Sequence, residues 1–121
     1  MKYLMLLYAD SPMPEPGTPE ARRLFDDWAA ARQAMTDAGV LIECTPLQPA
    51  SASTTVRVRG GEMLLTDGPA AEIKEVFGGL TLIECDGLDE ALKWAARLPT
   101  ASAGKVEVRP FFQVPYLSVS P

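Results

Sequence analysis

Residues 2–8 of the chain read KYLMLLY, a nearly continuous apolar run in which neither of the two alternating sides is polar. Successive side chains of a strand point to opposite faces, so such a segment must be covered on both, or sit in the middle of a sheet. It predicts the first strand. It also requires that whatever sheet forms around it has two faces to bury.

The rest of the chain supplies what could surround this strand. Residues 10–19 (DSPMPEPGTP) hold four prolines in ten positions and read as a surface loop. Thr18-Pro19 is a helix start, a hydroxyl cap followed by a residue whose missing N–H costs nothing at the first helical position. From there Ala21, Leu24, Phe25, Trp28, Ala31, Met35 and Ala38 follow helical spacing, and Gly39 supplies a left-handed stop. Val40–Leu47 reads as a second strand. Thr54–Arg59 alternates with period two, Gly60-Gly61 makes a hairpin turn, and Glu62–Thr66 returns to end at Asp67. Leu80–Cys85 is a further covered strand. A second helix is predicted from near Gly87, with Leu88, Ala91, Leu92, Ala95 and Leu98 inward, Trp94 at the margin and Pro99 as its stop. Residues 99–104 read as a small loop, Lys105–Phe112 as the last strand, and 113–121 as a tail.

Without the extra hairpin, this order is the βαββαβ of a ferredoxin-like α+β sandwich, one domain over residues 1–112 with both helices on one face of an antiparallel sheet. The other face then needs a cover. A second copy stacked sheet on sheet is the expected one, because burying apolar surface is worth roughly 25 cal/mol per Å².

Composition narrows the partners. In 121 residues, 47% are hydrophobic and 22% charged, as in an ordinary globular domain, and the net charge of −5 disfavours nucleic acid and anionic membrane. No stretch has the length or flanks of a membrane span or a signal peptide, which predicts a cytoplasmic protein. The two cysteines, Cys44 and Cys85, sit in apolar runs without CxxC spacing and read as buried thiols. The chain contains no histidine, so metal sites are poorly supplied and no cofactor is implied.

The densest group of special residues is Thr66–Gly79, TDGPAAEIKEVFGG. Asp67-Gly68-Pro69 marks a tight bend, because Gly accepts backbone angles that other residues resist and Pro fixes its own. A carboxylate at a strand end beside a cavity suits general acid or base work, and Asp67 is the candidate catalytic residue. The same side chain would equally serve an Asx-turn. Tyr8 at the end of the first strand, Lys74 and Arg109 are the candidate substrate-binding residues. Glu72, Lys74 and Glu75 also fit a solvated strap, and Arg109 an ion pair with a carboxylate. Gly78-Gly79 within a strand pattern predicts a bulge or a close backbone approach, and Tyr3, Trp28 and Trp94 are packing residues.

Thr66 through Glu75, Gly78-Gly79, Leu88-Asp89-Glu90-Ala91, Trp94-Ala95-Ala96-Arg97 with Pro99, and Val106 through Pro110 together resemble the DGPF subgroup of the YCII-related proteins. The resemblance implies a ferredoxin-like fold that pairs into a dimeric α+β barrel, and small-molecule acid–base chemistry of lyase or isomerase type. Two departures stand out. The Phe that usually follows the motif's proline is Ala70, and the His–Asp pair of the wider family has no histidine here. The resemblance thus leaves two functions open: an acid–base enzyme acting through Asp67, or a non-catalytic homodimer that binds a ligand or a partner.

Overall fold

In a computed structural model, which describes residues 1–70 and 76–113, the elements follow in the order β1 (Lys2–Ala9), α1 (Pro19–Asp37), β2 (Leu41–Pro46), β3 (Thr54–Arg59), β4 (Glu62–Asp67), β5 (Val76–Glu84), α2 (Leu88–Ala96), α3 (Pro99–Ala103) and β6 (Gly104–Pro110). β1 is central, as its composition requires. It pairs antiparallel with β5 on one side and β6 on the other, and β2 extends the sheet to give the order β2-β5-β1-β6. This is the ferredoxin-like α+β arrangement. β3 and β4 form a separate two-stranded hairpin.

The helices cover one face of the sheet. Tyr3, Met5 and Leu7 of β1 and Ile83 of β5 meet Met35 of α1, Ala91 and Ala95 of α2, and Leu98 in one buried cluster, with Trp28 and Trp94 packed against its edge. The tyrosine and both tryptophans are thus packing residues. Thr81 is fully buried on this face, and its hydroxyl donates to Cys44 Sγ at 3.5 Å, so the polar group is not left unpaired.

α1 begins and ends as its sequence predicts. Thr18 Oγ1 accepts from the Ala21 N–H at 3.2 Å, Pro19 occupies the first turn, and Gly39 takes φ +73° where the chain turns out of the helix. Arg32 Nη1 donates to the Cys44 carbonyl at 2.9 Å and ties the helix to β2. At the start of α2, Gly87 offers no side-chain cap, and Glu90 accepts from the Asp86 N–H at 3.1 Å, one residue before the donor that a capping box would use.

Several expectations change. Phe25, Leu88 and Leu92 are on the helical repeat but 72%, 49% and 48% exposed, because each lies beyond the stripe that reaches the sheet. Pro99 does not merely stop α2; it opens the short α3, a first helical position again suiting its missing N–H. β5 begins at Val76, before the glycine pair. It does so through a bulge: Leu7 lies opposite Gly79 but Tyr8 opposite Phe77, leaving Gly78 as the extra residue. The Gly78 carbonyl accepts from the Leu47 N–H at 2.8 Å, which holds the bulge against the end of β2.

Two glycines are required by close approach. A Cβ on Gly79 would stand 2.7 Å from the Thr45 carbonyl oxygen, and one on Gly104 would stand 2.1 Å from that of Tyr8. Backbone cannot yield as a flexible side chain can. Gly104→Ala is expected to destabilise the fold by about 1–3 kcal/mol through the shift it forces between β6 and β1, read as a lower urea midpoint at unchanged m-value.

Both cysteines are buried and free. The Cys85 thiol is raised above its ordinary value of 9.0, chiefly because burial disfavours the thiolate, with the nearby Glu90 carboxylate acting in the same direction. Below that value both folded and unfolded chains keep the proton; above it the unfolded chain ionises first and is favoured. Stability is therefore expected to fall as pH rises from about 9.0, and less steeply in Cys85→Ala, as measured by denaturant midpoints across the alkaline range.

Candidate functional site

The face of the sheet away from the helices is built in cross-strand rows. Residues directly opposite in antiparallel strands share a face, so Glu43, Leu82, Leu4 and Arg109 form one row, and Thr45, Leu80, Leu6 and Glu107 the next. Phe77, Tyr8 and Lys105 form a third. Four leucines make the floor, all half-buried, none in the core cluster beneath. Among the described residues no helix packs on them.

Of the sequence-predicted residues, Tyr8 and Arg109 both belong to this face. The Tyr8 and Phe77 rings lie with centroids 5.3 Å apart at an interplanar angle of 35°, a pairing that exists because the bulge at Gly78 turns Phe77 to the side of Tyr8. Arg109 donates from Nε to Glu107 Oε2 at 2.9 Å and from Nη2 to the same oxygen. One carboxylate oxygen takes both bonds. Among the described residues Glu107 Oε1 and the remaining guanidinium donors make no such bond, and the Arg109 and Glu107 side chains are exposed, at 67% and 42%. An exposed pair of this kind adds little stability. Tyr8 lies four positions along the sheet from the row of Arg109, on the order of 14 Å at ~3.4 Å per residue. The two flank the leucine floor rather than touch.

Asp67 is elsewhere. It ends β4, opposite Thr54 in the separate hairpin, and is exposed. The bend after it is fixed by the backbone of Gly68, at φ +103°: its N–H donates to the Ser53 carbonyl at 2.8 Å and its carbonyl accepts from Thr55 Oγ1 at 2.8 Å. Among the described residues the Asp67 carboxylate accepts no hydrogen bond, so the turn does not rely on an Asx interaction. Lys74 lies outside the described residues. Two shallow concavities run along the start of α1, between Pro14 and Phe25, and neither includes Asp67, Tyr8 or Arg109.

Glu107 and Phe77 escaped the sequence reading as site residues. The alternation in KVEVRP carried the signal for Glu107, since Val106 and Val108 must face the helices and Lys105, Glu107 and Arg109 the other side. For Phe77 the glycine pair was the signal. Among the described residues no cluster of three or more Cys, Asp or Glu side chains could hold a metal, and no helix is long and apolar enough to cross a membrane.

A profile of the YCII-related domain matches residues 1–115. The chain belongs to that family. The chain is similar to an uncharacterised protein of Rhizobium meliloti (strain 1021), 39% identical over an alignment of 113 positions, with 91% of each chain covered. Among solved structures, the chain is similar to the 5-chloro-2-hydroxyhydroquinone dehydrochlorinase of Burkholderia phenoliruptrix AC1100 in complex with 2,5-dihydroxybenzoquinone. That likeness has 17% identity and a TM-score of 0.47, over 94% of this chain and 96% of the other.

In this YCII-related protein the turn and the carboxylate separate by mutation. Thr55→Val removes the bond to the Gly68 carbonyl and is expected to cost about 1 kcal/mol, whereas Asp67→Asn should leave the denaturant midpoint within error. A large loss in Asp67→Asn would restore the turn role to the side chain.

Proposed function

We propose that the protein is a homodimer whose chains face each other across their open sheet faces and bind a small anionic organic molecule between them. The observation that carries this reading is the open face itself: a leucine floor flanked by the Tyr8–Phe77 ring pair and by the Glu107–Arg109 fork. Rings of this kind stack planar ligands, and the Arg109 donors that no described residue takes up suit a carboxylate or phenolate.

Charge supports the pairing. Lys2, Lys105 and Arg109 balance Glu43, Glu84 and Glu107 on the open face, although the whole chain carries −5. The acidic excess lies on the loop and helix side, with Asp10, Glu15, Glu20, Asp26, Asp27 and Asp37 among its members. Two acidic chains can therefore meet through their sheets without repulsion.

Within this reading, acid–base catalysis of lyase or isomerase type is a second step that Asp67 would perform, with Tyr8, Lys74 and Arg109 binding the substrate. The exposure of Asp67 in the single chain favours the binding role alone, unless a second chain encloses it.

A thermal-shift screen of aromatic acids, phenols and lactones tests the binding role. The expected result is a concentration-dependent rise in melting temperature that Arg109→Ala and Tyr8→Ala each reduce at least tenfold in apparent affinity. Hits that bind both variants as tightly as the parent chain place the site elsewhere. Incubating such a hit with the protein and following it by NMR decides the catalytic step: turnover lost in Asp67→Asn supports it, and an unchanged compound leaves a binding protein.

A further inference from the structure

The β3–β4 hairpin is six residues long on each side and carries an apolar face that no other described element covers. Thr54, Val56 and Val58 stand opposite Asp67, Leu65 and Met63, so these six side chains share one side of the hairpin. Val56, Val58, Met63 and Leu65 are 56%, 60%, 66% and 60% exposed. Leu64, on the other side with Arg57 and Arg59, is exposed as well. Two-stranded hairpins standing alone are marginal in water, and four large apolar side chains on one side make this one a poor candidate for a free arm. Gly68 and Thr55 close its base, the Gly68 N–H donating to the Ser53 carbonyl and Thr55 Oγ1 to the Gly68 carbonyl, and its strands pair with each other in a sheet separate from β2-β5-β1-β6.

We infer that this hairpin is an arm that docks its Val56–Val58–Met63–Leu65 side against the open sheet face of a second copy, carrying Asp67 from bulk water into the space between the two sheets. The inference rests on the homodimer reading above. A second copy is the occupant that the charges favour: Arg57 and Arg59 balance Glu62 and Asp67, so the arm is neutral in a chain of net charge −5. The open face that would receive it has a leucine floor and balanced charge, and no described helix covers it. An isologous pair exchanges two such arms, each filling the face that the other chain leaves open. Asp67 lies on the docking side by register, so whatever covers Leu65 and Met63 covers its carboxylate too. The site is then incomplete in one chain.

Sedimentation equilibrium of the intact chain, of V58K/L65K and of L4K/L82K is the first measurement, with circular dichroism to check that each variant is folded. The expected result is a dimer weakened at least tenfold in both variants. A chain that stays monomeric up to high micromolar concentration overturns the homodimer reading and this inference with it. A dimer lost in L4K/L82K but unchanged in V58K/L65K overturns the arm alone and leaves the dimer standing. Hydrogen exchange of the unmodified protein gives an answer that needs no variant: amides of residues 54–67 should exchange faster on dilution, and equal protection in monomer and dimer overturns the inference. Carbodiimide labelling of Asp67 should be fast in dilute monomer and slow in the dimer. Equal labelling in both states removes Asp67 from the interface.

Discussion

β1 has large apolar side chains on both of its faces, and a sheet built around it can bury only one of them with the helices this chain contains. Tyr3, Met5 and Leu7 enter the helix-covered core, while Leu4 and Leu6 stay half-buried on the other side with Leu80 and Leu82. The strength of the core comes from the first set. The second set leaves a half-buried apolar sheet face that none of α1, α2 and α3 covers, around which Lys2, Lys105 and Arg109 balance Glu43, Glu84 and Glu107.

The bulge at Gly78 links this packing to the candidate site. A regular ladder would send Phe77 toward the helices; one extra residue in β5 turns it beside Tyr8 and closes the leucine floor with an aromatic end. Gly79 and Gly104 let β2 and β6 approach the backbone of their neighbours at this same end of the sheet. The glycines, which look like features of a loop, therefore set the geometry of the open face. In β6 the plain alternation of valines with charged residues does the corresponding work, placing Glu107 and Arg109 on one side as a fork.

Much of the fold was legible because its signals are local. The Thr18 cap, Pro19, Gly39, the Gly60-Gly61 turn and the period-two strands each act within a few residues, and each stands where the pattern predicts. Boundaries failed where a residue admits two local uses. Pro99 can stop one helix or start another, and Gly78-Gly79 can precede a strand or bulge within it. Helical periodicity likewise named Phe25, Leu88 and Leu92 as inward, but the width of the buried stripe depends on how each helix sits on the sheet.

By itself the sequence determined the order of the strands and of the two longer helices, the ferredoxin-like sandwich, the family, and the absence of a histidine on which a His–Asp pair could be built, but not α3. Only the tertiary structure decided which candidates share a surface. Tyr8 and Arg109 come to one face because β1 and β6 pair in a fixed register, whereas Asp67, close to Phe77 along the chain, leaves on a hairpin that belongs to a different sheet. Spacing along a chain fixes which side of its own strand a residue occupies; which strands then stand together is set by long-range pairing and burial, and no local pattern encodes that.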